Sequence, residues 1–131
     1  MVGLVIVSHS WKIAEGIKDL TDQVASTHKG IVACGGMEDK SIGTDAVSIS
    51  EAIKAANDGE GVVLLADLGS GIMSAETAIE LLDGEDIDAR LVDAPIVEGS
   101  IAAAVTAACG SNIEAVVTAA EQTRAVNKIN K

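Results

Sequence analysis

The stretch Val2-Gly3-Leu4-Val5-Ile6-Val7-Ser8-His9-Ser10-Trp11 decides the fold. Its apolar run, residues 2–7, reads as a parallel strand buried on both faces. Trp11 opens an amphipathic stretch to about Ala25, with Ala14, Ile17, Leu20 and Val24 following at helical spacing as the buried stripe. Ser8, His9 and Ser10 therefore lie in a strand-to-helix turn. In an open α/β sheet such turns line the carboxyl edge of the strands, where ligands bind. An imidazole there is near water and beside a helix N-terminus, placed to attack an anionic group such as phosphate.

Outward from that stretch, strand and helix patterns alternate to the end of the chain. A short second strand over residues 30–34 stops at Gly35-Gly36, and Gly43-Thr44-Asp45 caps a helix whose buried stripe is Ile49, Ala52, Ile53 and Ala56. A third strand over residues 61–66 runs into Asp67-Leu68-Gly69-Ser70-Gly71 and a helix carrying Ile72, Ala75, Ile79 and Leu82. A fourth strand over residues 89–92 ends in Asp93-Ala94-Pro95. Residues 96–127 read as two helices broken near Gly110-Ser111-Asn112, with Asn112 as N-cap of the last. This predicts one domain over residues 1–131: an open four-stranded parallel sheet, order 2-1-3-4, with right-handed crossovers and helices on both faces. The order sets the ends of strands one and three side by side, so His9 and Asp67 should face each other across the ligand crevice.

Composition narrows the function classes. The chain is 48% hydrophobic, yet it has no Phe or Tyr and a single Trp, so the core must be built from Val, Ile, Leu and Ala. Binding nucleobases by stacking lacks the aromatic faces it needs. Twenty acidic against nine basic side chains give a net charge of −11, which repels nucleic acid and anionic membranes and suits a protein partner with a basic docking surface. No apolar stretch approaches the roughly 18 residues of a membrane span. No basic region precedes the short N-terminal apolar run, so no secretory leader is expected. Cys34 and Cys109 have neither metal-ligand nor redox-pair spacing; they read as reduced thiols of a cytoplasmic protein, Cys109 in an Ala-rich core helix.

Chemistry concentrates at the first and third strand ends. One nitrogen of a neutral imidazole has a lone pair able to attack phosphorus, while the other carries a proton and needs an acceptor to fix the tautomer. Asp67 is the candidate acceptor. Gly69, Ser70 and Gly71 can offer backbone N–H groups at a helix start, and Ser8, Ser10 and Ser70 can offer hydroxyls, as ligands for the phosphoryl oxygens. His28, near the end of the first helix, reads as structural, a cation suited to the helix dipole. Asp93 and Glu98 read as caps of the fourth helix in preference to the alternative, contacts with the crevice. No phosphate-binding Gly-Lys-Ser/Thr loop, dinucleotide glycine motif or metal cage occurs, so no metal or resident cofactor is expected.

Taken together, Ile6-Val7-Ser8-His9-Ser10, Ile42-Gly43-Thr44-Asp45, Asp67-Leu68-Gly69-Ser70 and Asp93-Ala94-Pro95-Ile96-Val97-Glu98-Gly99 resemble the phosphoryl-transfer subunits of phosphotransferase-system-dependent dihydroxyacetone kinases. Their fold is shared with the IIA domains of mannose-class sugar transporters. The resemblance implies that His9 is phosphorylated by the phosphocarrier protein HPr and passes the group to ADP held on the nucleotide-binding kinase subunit (DhaL). It also implies a homodimer. Ser10 stands where mannose-type IIA domains usually carry Gly, and Gly71 where Ala is expected. Those domains continue into a IIB domain and some kinase subunits into HPr-like and enzyme I-like domains, whereas this sequence ends at Lys131, so HPr is expected to act in trans.

Two other readings fit the same residues. One is a sugar-transport IIA component that hands the phosphoryl group to a IIB protein. The other is a non-enzymatic, anion-binding regulatory module using the same crevice.

Overall fold

The computed structural model describes residues 1–130. Four parallel strands, β1 (Gly3–Ser8), β2 (Ile31–Gly35), β3 (Val62–Ala66) and β4 (Ala89–Leu91), lie in the order β2-β1-β3-β4. Between and after them run α1 (Trp11–Val24), α2 (Ala46–Ala56), α3 (Gly69–Leu81), α4 (Ile96–Ala108) and α5 (Ile113–Gln122). The predicted fold class and strand order are those observed.

Every residue of β1 is buried because helices cover both faces. Leu4 and Ile6 join Val63 and Leu65 against Ala14, Ile17, Ala103 and Val116, the layer made by α1, α4 and α5. Val5 and Val7 join Val62 and Leu64 against Ile49, Ile53, Ala75 and Ala78 of α2 and α3. Alternate residues of one strand thus feed two separate cores.

Several expectations are corrected. In α1 the buried stripe is Ala14, Ile17 and Thr21, followed by the cap residue Ala25, while Leu20 and Val24 are about half exposed. A continuous 3.6-residue period from Ala14 leads to position 21, and Thr21 tolerates burial because its hydroxyl donates to the Lys18 carbonyl at 2.8 Å. In α3 the buried positions are Gly71, Ala75 and Ala78, with Ile72 turned outward. Small residues there let the helix approach the sheet and α2.

Cys109 is not in the core: it caps the C-terminus of α4 and is exposed, because Gly110 (φ +85°) turns the chain away. As α4 starts at the carboxyl edge and runs back along the sheet, Cys109 lies at the end opposite His9. His28 is structural, yet it is not a surface cation. Buried, it donates from Nε2 to the Val2 carbonyl (2.7 Å) and accepts at Nδ1 from the Gly30 amide (2.9 Å), the pattern of a neutral ring.

Candidate active site at the carboxyl edge

β1 delivers His9 to the edge of the sheet, and Ser10 stops the strand by becoming the N-cap of α1, its Oγ accepting from the Ile13 amide at 3.5 Å. β3 delivers Asp67 beside it, held by the Asp67 amide donating to the Val7 carbonyl at 3.2 Å. The expected juxtaposition across the switch point is present.

The Asp67 carboxylate is saturated with donors. Oδ2 accepts from the His9 amide (3.0 Å) and the Ser8 hydroxyl (2.9 Å). Oδ1 accepts from the Leu68 amide (2.7 Å) and lies 2.9 Å from His9 Nδ1. Burial alone would raise its pKa, but the His9 amide and ring, the Ser8 hydroxyl and the Leu68 amide together hold it below the usual carboxylate range. An ionised acceptor at Oδ1 assigns the proton to Nδ1 and leaves the lone pair on Nε2. Nε2 meets the hydroxyl of Ser70, which donates to it.

Ser70 lies in the first turn of α3, where Leu68 occupies the N-cap without a side-chain hydrogen bond. First-turn amides have no intrahelical acceptor and sit at the positive end of the helix dipole. Gly69, Ser70 and Gly71 are the first three residues of that helix. Gly71 has a second role: a Cβ there would come 3.0 Å from Asp67 Oδ1 and 3.4 Å from His9 Cε1, so glycine lets the imidazole–carboxylate pair lie against the helix.

The other nominated residues fall elsewhere. Ser10 Oγ is turned into the α1 cap. Ser8 is fully buried and bonds Asp67 and the Ser10 amide (3.1 Å) rather than facing the crevice. The signal was its place as the last residue of β1, a strand buried along its whole length on both faces. Asp93 and Glu98 do not cap α4 with their side chains. Pro95 is the N-cap, Asp93 pairs with Arg124 and Glu98 with Lys128, each at 2.7 Å.

Sequence reasoning missed the backing of the site by the loop after β2. Gly36 donates to the Ser8 carbonyl (3.1 Å), Gly43 donates to the His9 carbonyl (2.9 Å), and the Thr44 and Ser74 hydroxyls bond at 2.6 Å. Cys34, at the end of β2, has its thiol pushed up to about 11 by burial and by the nearby Asp45 charge. Among the described residues no group of three or more His, Cys, Asp or Glu side chains could hold a metal, and no helix is long and apolar enough to cross a membrane.

Relatives match this chain along nearly its whole length. The family described as "PTS system fructose IIA component" (PTS, phosphotransferase system) matches residues 3–117. The chain belongs to that family. This IIA-family chain is 42% identical over 126 residues to the "PEP-dependent dihydroxyacetone kinase, phosphoryl donor subunit DhaM" of Providencia stuartii, covering 93% of the chain and 26% of that relative. It is 45% identical over 121 residues to the Escherichia coli protein of the same name, covering 89% of the chain and again 26% of the relative. The chain thus spans about a quarter of the length of those two proteins. It covers 94% of a Listeria innocua "PEP-dependent dihydroxyacetone kinase 2, phosphoryl donor subunit DhaM", at 38% identity over 118 residues. In three dimensions the IIA-family fold is similar to the crystal structure of a protein of unknown function, EF1359, with TM-score 0.80, 32% identity and coverage of 93% and 95% of the two chains.

Proposed function

We propose that this IIA-family chain is a phosphohistidine relay that accepts a phosphoryl group from phospho-HPr and donates it to ADP bound on the nucleotide subunit of a dihydroxyacetone kinase. The observation that carries the reading is the array Asp67–His9–Ser70: a donor-saturated carboxylate on Nδ1, a lone pair on Nε2 and a helix start beside it.

In the loading step the Nε2 lone pair of His9 attacks phosphorus as the donor's P–N bond breaks, and that bond's electron pair returns to the donor imidazole. Ionised Asp67 stabilises the positive charge that develops on the ring. The first-turn amides of α3 and the Ser70 hydroxyl, released from Nε2, hold the phosphoryl oxygens in a loose transition state. In the unloading step a terminal oxygen of ADP attacks phosphorus, the P–Nε2 bond breaks, and its electrons restore the neutral ring. The resulting ATP phosphorylates dihydroxyacetone on the kinase, so phosphoenolpyruvate is the ultimate donor. The nucleotide stays on the partner, which agrees with the want of aromatic stacking faces and of a phosphate-binding loop here. The proposal places the relay in the cytoplasm, as a homodimer and without a resident cofactor.

The test is intact mass after incubation with enzyme I, HPr and phosphoenolpyruvate, before and after addition of the ADP-loaded kinase subunit. One acid-labile phosphoryl group, absent from His9→Ala and discharged by the kinase subunit, is expected. A group that persists would redirect the relay to a IIB protein, and no gain would leave an anion-binding module.

A further inference from the structure

The contact between Ser70 and His9 has a chemistry of its own. The exposed Ser70 hydroxyl donates to His9 Nε2, and His9 Nδ1 lies 2.9 Å from Asp67 Oδ1. Behind them the fully buried Ser8 hydroxyl donates to Asp67 Oδ2 at 2.9 Å and anchors the carboxylate. Hydroxyl, imidazole and carboxylate thus stand in the order that activates a serine for attack on a carbonyl carbon. That order recurs on unrelated folds and is recognised by geometry and roles.

The surroundings suit an acyl transfer. Gly69, Ser70 and Gly71 open α3, so the Ser70 and Gly71 amides have no intrahelical acceptor and lie beside the nucleophilic oxygen. Amides so placed stabilise an oxyanion growing on an attacked carbonyl. The net charge of −11 turns away anionic esters. Ser70 is open to solvent, so substrate binding contributes little and the ester must be small and reactive.

We propose that the unphosphorylated chain is a weak esterase, with Ser70 as nucleophile, acting on neutral, activated esters of short carboxylic acids. Ser70 Oγ attacks the carbonyl carbon while its proton passes to His9 Nε2. The tetrahedral intermediate collapses, the bond to the alkoxy oxygen breaks, and Nε2 returns the proton to the leaving alcohol. Water then attacks the acyl-serine, giving its proton to Nε2. Collapse frees the carboxylic acid, and Ser70 Oγ takes that proton back. This activity goes beyond the relay and competes with it, because a phosphoryl group on Nε2 removes the lone pair that Ser70 needs.

Two probes test it: p-nitrophenyl acetate for turnover and diisopropyl fluorophosphate for the nucleophile. Wild type should release nitrophenolate at least about tenfold faster than Ser70→Ala, which keeps His9 and so measures direct attack by the imidazole. His9→Ala should fall at least as far, and protein loaded from phospho-HPr should lose the Ser70-dependent rate. Diisopropyl fluorophosphate should leave one stable diisopropylphosphoryl group, which peptide mass mapping places on Ser70. The esterase is overturned if Ser70→Ala turns over as fast as wild type, if the adduct lies on His9, or if Ser70 is labelled equally fast in His9→Ala. Those results with His9 still accepting a phosphoryl group would remove the esterase alone. Labelling of Ser70 in a chain that takes no phosphoryl group from phospho-HPr would sink the relay and leave the esterase standing.

Discussion

The two histidines use the same ring in opposite ways. His9 presents Nδ1–H to a carboxylate and keeps its lone pair on Nε2, where a single hydroxyl meets it at the crevice. His28 presents Nε2–H to the Val2 carbonyl and spends its Nδ1 lone pair on the Gly30 amide inside the fold. A hydroxyl can rotate away from an incoming phosphorus, whereas a main-chain amide locked between a strand and its neighbour cannot. In the proposed relay, reactivity is decided by what meets the second nitrogen, and the carboxylate sets which nitrogen that is.

Removing each ring in turn should separate the two roles. His9→Ala should abolish phosphoryl acceptance and leave Tm within a few degrees. His28→Ala should accept a full equivalent yet lose about 2 kcal/mol or more, because two buried backbone groups lose their partner, which corresponds to about 8 °C in Tm. Mass spectrometry and thermal denaturation of the two variants give the crossed result, and an unphosphorylated His28→Ala that remains folded would refute it. Long-range 1H–15N NMR should find the two rings in opposite neutral tautomers.

Asp67→Asn should slow loading about 100-fold or more, since a neutral amide neither fixes Nδ1–H nor stabilises the charged ring. Single-turnover quench-flow measures this, and a rate within threefold of wild type would remove Asp67 from the mechanism. The same residue gives a pH signature. Its pKa is lowered in the folded state, so its contribution is complete above the ordinary carboxylate pKa and is lost as pH falls through the depressed folded value. Urea midpoints from pH 7 down to pH 3 should therefore fall more steeply for wild type than for Asp67→Asn.

Smaller effects should follow at α3. Ser70→Ala should slow loading about fivefold, the equivalent of one hydrogen bond, with no change in tautomer. Gly71→Ala asks the carboxylate and ring to move by a few tenths of an ångström. It should slow loading only a few-fold while leaving stability nearly unchanged, because alanine's helix propensity offsets the crowding. A loss beyond tenfold would mean that the pair has no slack.

Much of this was legible in the chain. The continuous apolar run of β1 marked a strand buried on both sides, and the alternation of strands and helices left one economical sheet order. That order alone brought His9 to Asp67 across a gap of 58 residues. What stayed hidden depended on phase and on end effects. In α1, Leu20 and Thr21 compete for the same buried register, and the polar residue won because its hydroxyl closes on its own helix. Ser8 read as a crevice hydroxyl, although it still belongs to the fully buried β1 and its hydroxyl is taken up by Asp67. Asp93 and Glu98 read as caps because their partners Arg124 and Lys128 come from beyond α5, too far along the chain for local pattern to reveal.

The two cysteines divide in the same manner as the histidines. Cys34 remains a protonated thiol far above neutral pH, while Cys109 stands exposed at the sheet's opposite end from the crevice. The chain therefore carries one exposed thiol and one partly buried thiol held protonated. A maleimide dye at pH 7.5 should enter once, at Cys109, and give a fluorescent reporter for testing the proposed carrier's binding, its label at the opposite end of the sheet from His9.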